Sequence, residues 1–155
     1  MQTTQSIQFF RTTSDNSDFR KMVNALDEDL YVRNGDTQAQ YEQYNQIDKI
    51  KHAVVIYWHE NPVGCGCFKP FDEETIEVKR MFVKPEMRGR KLSAGLLQEL
   101  EKWAVEEGYN QAVLETGVRQ VEAQGLYAKA GYFRTENYGQ YLGMEDSICY
   151  KKAMK

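Results

Sequence analysis

Lys84-Pro85-Glu86-Met87-Arg88-Gly89-Arg90-Lys91 places four cations and a glycine directly before an apolar helical repeat. At such a point backbone N–H groups, the positive end of a helix dipole and cationic side chains converge, and the spot attracts a phosphate. Lys79 and Arg80, on the preceding segment, extend the cluster in a chain whose formal net charge is −3. A basic run taken alone reads first as a solvated face, with the phosphate site as the other reading. No Walker sequence and no Rossmann glycine fingerprint occurs, so nucleotide hydrolysis and dinucleotide reduction lose their best warrants.

Cys65 and Cys67 are two residues apart on an apolar run, so both point to one face of a strand, where the pair could grip a soft metal. A zinc site needs four ligands, and His52 and His59 do not fall into a recognised ligand spacing with them. No metal is therefore expected. Three cysteines, with Cys149, make no framework of spaced pairs and read as reduced thiols. A covalent route through them would need a neighbouring base, and no cysteine and histidine arrangement offers one.

The elements that must position these groups follow from period. Ile7 to Thr12 reads as a first strand, and Asp15 or Asn16 caps a helix carrying Phe19, Met22, Val23, Leu26 and Leu30 on one stripe. A polar, Gln-rich stretch follows. Ala53 to Trp58 and Val63 to Phe68 are apolar runs punctuated by His59, Glu60, Asn61 and Pro62 as a hairpin. Thr75 to Val83 is a third strand. Strict alternation puts Ile76, Val78, Arg80 and Phe82 on one face and Glu77, Lys79, Met81 and Val83 on the other. Leu92, Leu96, Leu97, Leu100, Trp103 and Ala104 then recur at helical spacing up to Gly108. Ala112 to Thr116 is a strand, Val121 to Ala130 a helix, and Ser147 to Lys152 a closing strand. Strand, helix, strand from Thr75 to Thr116 is a βαβ unit with two parallel strands, so the sheet is mixed.

The 155 residues suit one domain, 1–155, with no internal repeat and no linker. A 41% hydrophobic content, a 28% charged fraction and the mild acidity argue against disorder and against nucleic acid as a partner. Apolar runs are far shorter than the roughly 20 residues of a membrane span, so no membrane partner is expected. Met1 to Gln8 is polar and lacks the pattern of a secretory signal, which makes the cytoplasm the expected compartment.

The run MFVKPEMRGRKLSAGLL resembles the signature of the GNAT superfamily of acetyl-CoA-dependent N-acetyltransferases: Arg or Gln, two residues, Gly, one residue, then Gly or Ala, opening a helix after a strand. LETGVRQVEAQGLYAKAGYF is similar to the family's second half, a strand followed by a helix ending in a Leu-Tyr pair and a Gly-aromatic turn. Lys91 and Ser93 stand where glycines are usual, and Gln120 where many members carry Asn. The resemblance implies an α/β (α+β) fold: a mixed, mostly antiparallel sheet with a splayed central parallel pair, flanked by helices.

It also implies acetyl-CoA as co-substrate. Arg88, Gly89, Arg90, Lys91, Leu92, Ser93 and Ala94 would meet its phosphates, Gln120 and Tyr127 would border it, and its pantetheine arm would pair with the backbone of Met81 and Val83. The Met81 N–H becomes the oxyanion donor and Tyr127 the acid for the departing thiolate. On spacing alone Tyr127 reads as a core tyrosine beside Ala123 and Leu126, and the resemblance gives it the acid's role. Glu77, on the face assigned to Met81 and Val83, is the candidate base, with Glu115 on the facing strand as second choice. Tyr132, Tyr138 and Tyr141 border the acceptor or pack the sheet. The expected acceptor is a small-molecule amine or a protein amino group. A non-catalytic acyl-CoA-binding module of the same fold is the alternative, and a homodimer is left open.

Overall fold

The computed structural model describes residues 6–34 and 49–154, and the Gln-rich stretch lies outside them. The strands are β1 (Ile7–Thr12), β2 (His52–Trp58), β3 (Asn61–Pro70), β4 (Thr75–Val83), β5 (Gln111–Gly117), β6 (Phe133–Thr135) and β7 (Ser147–Ala153). The helices are α1 (Ser17–Asn34), α2 (Leu92–Glu106) and α3 (Val121–Lys129). The strands form one seven-stranded sheet in the order β1-β2-β3-β4-β5-β7-β6. Every pairing is antiparallel except β4 with β5. The fold is therefore the expected mixed one, with its one parallel pair at the centre.

Helices cover both faces, which is why Ala53 to Ile56 reads as a continuous apolar run and not as an alternation. Ala53 and Val55 join Phe19, Met22 and Leu26 of α1 in one core, while Val54 and Ile56 join Leu96, Leu97 and Leu100 of α2 in the other. Asn16 starts α1 by accepting the Phe19 N–H at 2.9 Å, as an N-cap should. Among the described residues no side chain caps α2, so packing holds that helix. Leu96 and Leu100 are fully buried, each contributing about 1.5 to 3 kcal/mol.

The hairpin between β2 and β3 turns tighter than its punctuation suggests. His59 and Glu60, with φ of 50° and 71°, make the whole turn, and Asn61 and Pro62 already pair with Trp58 and Tyr57. The edge strand β6 has no sequence expectation, because three residues with little burial carry no period.

One departure reshapes β4. The β3–β4 register slips between Cys65 and Cys67, and Arg80 adopts φ of 61°, the signature of a β-bulge. Its extra residue reverses the faces downstream. Met81 and Val83 pack with Ile76 and Val78 against α2, while Phe82 packs with Cys65 and Cys67 on the α1 side. The strict alternation expected for Thr75 to Val83 is thus corrected, and Glu77 does not share a face with Met81 and Val83. The two cysteines have a structural task here. The Cys67 thiol donates to Lys79 O and the Cys65 thiol to Arg80 O, each at 3.4 Å, so both thiols brace the backbone at the bulge.

Candidate active site

The parallel ladder joins Thr75 through Val78 to Gln111 through Leu114 and then stops, although β4 continues to Val83 and β5 to Gly117. A gap opens between the diverging strands. The Lys84 N–H donates to Val63 O at 2.9 Å, which turns the backbone of Lys84 toward β3. Alternation turns Val83, and Met81 two residues earlier, toward the gap. The Arg88 Nε accordingly reaches Val83 O from that side at 2.9 Å. Strand backbone facing a gap retains hydrogen-bonding capacity that an amide-bearing ligand can use.

On the α2 and α3 side the gap widens into a cleft of about 690 Å³, within the usual range for a small ligand or cofactor. Its lining includes Met81, Val83, Arg88, Gly89, Lys91, Leu92, Ser93, Ala94, Gln120 and Tyr127. Arg90 is not among them. Its guanidinium lies 5.6 Å from the ring centroid of Trp58, a cation–π contact that carries it away from the cleft. Lys91 begins α2 in the left-handed conformation with φ of 63°. A glycine would adopt this backbone without strain, and the lysine holds it at a cost of roughly 1 kcal/mol or more.

A second, smaller cavity of about 100 Å³ lies at the α1 end of the gap, lined by Glu77, Lys79, Glu115, Tyr141 and Asp146 among others. Met81, Gln120, Ala123 and Tyr127 line both cavities, so these residues stand where the two meet. Tyr127 is buried, with Tyr132 and Tyr150 rings packed around it. Burial, reinforced by the nearby Glu115, pushes its phenol pKa well above the ordinary value, so the hydroxyl keeps its proton at neutral pH. Core packing and a place in the site are both true of this residue.

Glu77 is almost fully buried. Its Oε2 accepts the Tyr138 hydroxyl at 2.9 Å, and its Oε1 lies 4.0 Å from Lys69 Nζ. Glu115 Oε2 accepts Ser147 Oγ at 2.7 Å. Burial raises the Glu115 pKa to about 7, with Glu77 adding to the rise and both Ser147 and Lys79 opposing it. Lys79 is buried and its pKa is lowered by burial; its Nζ donates to the Tyr141 hydroxyl at 3.4 Å.

The basic cluster read from Lys79 to Lys91 therefore divides. Lys79 serves the small cavity, Arg80 pairs with Asp27 of α1, Arg90 stacks on Trp58, and Arg88 and Lys91 line the large cleft. Adjacency in sequence hid this because alternation and the bulge send neighbouring side chains apart. Sequence reasoning missed Lys79 and Asp146 as members of the small cavity, and Ser147 as the donor to Glu115. The tyrosines gave the one available signal, since Tyr138 and Tyr141 hold its charged groups directly.

Comparison with known proteins agrees with this geometry. The IAA acetyltransferase of Azospirillum brasilense is 40% identical over 80 residues, 51% of this chain and 52% of that protein. The chain spans about half the length of this and two other curated relatives that it matches. Among solved structures, a Klebsiella pneumoniae protein assigned as an acyl-CoA N-acyltransferase superposes with a TM-score of 0.79 at 25% identity, over 96% of this chain and 98% of that one. A GNAT family acetyltransferase from Elizabethkingia anophelis, solved with acetyl-CoA bound, shares the fold with a TM-score of 0.67 at 16% identity, over 96% and 98% of the two chains. Residues 19–132 match the acetyltransferase (GNAT) family model, a span that runs from α1 past α3 and contains both walls of the gap, and the chain belongs to that family.

Proposed function

We propose that the chain is an N-acetyltransferase that moves an acetyl group from acetyl-CoA to a primary amine by direct attack, both bound at once. The observation that carries this is the ladder that ends at Val78 and Leu114 and leaves a gap joining two cavities, with Tyr127 at the junction. The large cleft fits the cofactor. Arg88, Lys91 and the first-turn N–H groups of α2 would hold its phosphates, and Met81 and Val83 would face its amide-bearing arm. When bound, acetyl-CoA supplies an activated thioester carbonyl.

The chain's own residues then divide the work. The Met81 N–H donates to the thioester oxygen and stabilises the charge that develops there. A carboxylate takes the proton that the amine loses. Both Glu77 and Glu115 stand on the acceptor side, and Glu115 is the better base because its pKa of about 7 is matched to neutral operation, whereas Glu77 is engaged by Tyr138 and Lys69. Tyr127 gives its proton to the departing sulfur. Two carboxylates around a small cavity, Glu77 buried and Glu115 half-buried, suit the charged form in which most amines arrive. The three cysteines are buried free thiols, which fits the cytoplasm as the expected compartment.

Release of free thiol from acetyl-CoA, measured across amino acids, polyamines, aminoglycosides and peptides, tests the reading. Acceptor-dependent release supports it. Tight acetyl-CoA binding with no release above background for any amine class would favour the non-catalytic module.

A further inference from the structure

The segment between β6 and β7, together with Ser147 at the start of β7, provides a partner for each of three ionisable groups of the small cavity, buried Glu77 and Lys79 and half-buried Glu115. Tyr138 OH donates to Glu77, Lys79 Nζ donates to Tyr141 OH, and Ser147 Oγ donates to Glu115. The segment is folded on itself by backbone bonds from Tyr141 N to Tyr138 O, Met144 N to Tyr141 O and Ser147 N to Met144 O. Gly139 and Gly143 take its positive φ values, 52° and 79°. One side chain crosses the whole turn. The Nδ2 of half-buried Asn137 donates to the carbonyls of Tyr141, Met144 and Ser147 at 3.2, 3.0 and 3.2 Å.

From this juxtaposition we propose that Asn137 is a positioning residue of the acceptor site: by bracing the turn it holds the Tyr138 hydroxyl on Glu77 and the Ser147 hydroxyl on Glu115, which leaves Glu115 to take the proton of the acceptor amine. The proposal rests on the reading of Glu115 as base. An amide –NH₂ shared among three carbonyls has no substitute of the same reach, so its loss frees the turn without touching either carboxylate directly.

The consequence is electrostatic. A hydroxyl donating to a carboxylate favours the ionised form, so withdrawing Ser147 moves Glu115 toward its protonated state. The other groups facing Glu115 are Glu77 and Lys79 from β4, Tyr127 from α3, Cys149 from β7 and Tyr141 from the turn. Arg119 and Asp146 line the same cavity. Glu77, Lys79, Tyr127 and Cys149 sit within regular elements that Asn137 does not touch, whereas Ser147 is the first residue of β7 and its carbonyl accepts from Asn137.

The test uses the full chain carrying Asn137→Ala, Ser147→Ala or Ser147→Thr, with Asn137→Gln as a second brace variant should alanine fail to fold. The Glu115 carboxyl is titrated by carbon-13 NMR without acetyl-CoA, its resonance identified by Glu115→Gln, and the pH profile of kcat and the Kd for acetyl-CoA are measured beside it. Removing the brace or the hydroxyl should each move the titration midpoint up by about one pH unit, tenfold in the ionisation constant. The acidic limb of kcat should move with it, Ser147→Thr should restore the midpoint, and the Kd for acetyl-CoA should stay within about twofold. An Asn137 variant whose midpoint and kcat profile match the parent's overturns the proposal, whether or not Ser147→Ala shifts them. A midpoint that moves in a protein transferring acetyl to no amine upholds the brace and overturns the proposed activity instead.

Discussion

Replacing Glu115 by glutamine should make the protein more stable at neutral pH and remove a defined part of its pH dependence. The carboxyl rises from an ordinary 4.5 to about 7 in the folded chain, which corresponds to about 3 kcal/mol at ~1.4 kcal/mol per unit. Below pH 4.5 folded and unfolded chains both carry the proton, and the group adds no pH dependence. Between pH 4.5 and 7 the unfolded chain has released a proton that the folded chain still binds, so stability falls as pH rises. Above pH 7 both have released it and the full cost persists. The amide of the Glu115→Gln variant cannot titrate but still offers an oxygen to Ser147 Oγ, so the substitution removes the charge and little else. Urea denaturation of parent and variant from pH 4.5 to 8 gives the assay. The difference between the two stabilities should grow by about 3 kcal/mol in the variant's favour across that window, with titrating groups that do not face Glu115 cancelling. A difference that stays flat would refute the burial argument and with it the assignment of Glu115 as the pH-matched base.

Other substitutions separate the remaining parts of the account. Tyr127→Phe should lower turnover by roughly 100-fold with little change in acetyl-CoA affinity, the usual scale of general acid help; steady-state kinetics and calorimetry read both. Ser93→Glu should be neutral or stabilising by about 0.3 to 1 kcal/mol, because a carboxylate complements the N-terminus of α2, yet it should sharply weaken acetyl-CoA binding by occupying the phosphate position. Normal affinity in that variant would remove the α2 N-terminus from the site. Gly64→Ala should cost about 1 to 3 kcal/mol in thermal unfolding, since its Cβ would fall 2.6 Å from the backbone oxygen of Phe82. An unchanged melting temperature would show that β3 and β4 part more easily there than their pairing implies.

The parts of this molecule that obey a period could be read from the chain. The stripe from Leu92 to Ala104 specifies α2, and the change from alternation to helical spacing and back announces the βαβ unit whose strands then part. The bulge at Arg80 has no comparable signal. Arg80 is neither glycine nor asparagine, and its positive φ is sustained by tertiary partners: the cysteine thiols on the flanking carbonyls and the ion pair with Asp27. Because that one residue reverses the faces, Glu77 and Met81 part company, although Met81 still lines the small cavity beside Glu77 and Glu115. The character of Glu115 is invisible for a related reason. Its neighbours Glu77, Lys79 and Ser147 come from separated stretches of chain, and only the assembled sheet takes water away from them. Arg90 illustrates the opposite error. It sits inside the motif, but an aromatic ring on β2 competes for its guanidinium.

The backbone of Met81 and Val83 reports most directly on whether this gap receives the cofactor. Amide hydrogen exchange at these two positions, read by NMR with and without saturating acetyl-CoA, should slow markedly on binding. Exchange within the β1–β2 ladder should follow only the global gain in stability, about 2.7 kcal/mol at a hundredfold excess over Kd. Met81 and Val83 amides that gain no more protection than that ladder, in a protein shown to be saturated with acetyl-CoA, would contradict the proposal that the cofactor enters between the parted strands.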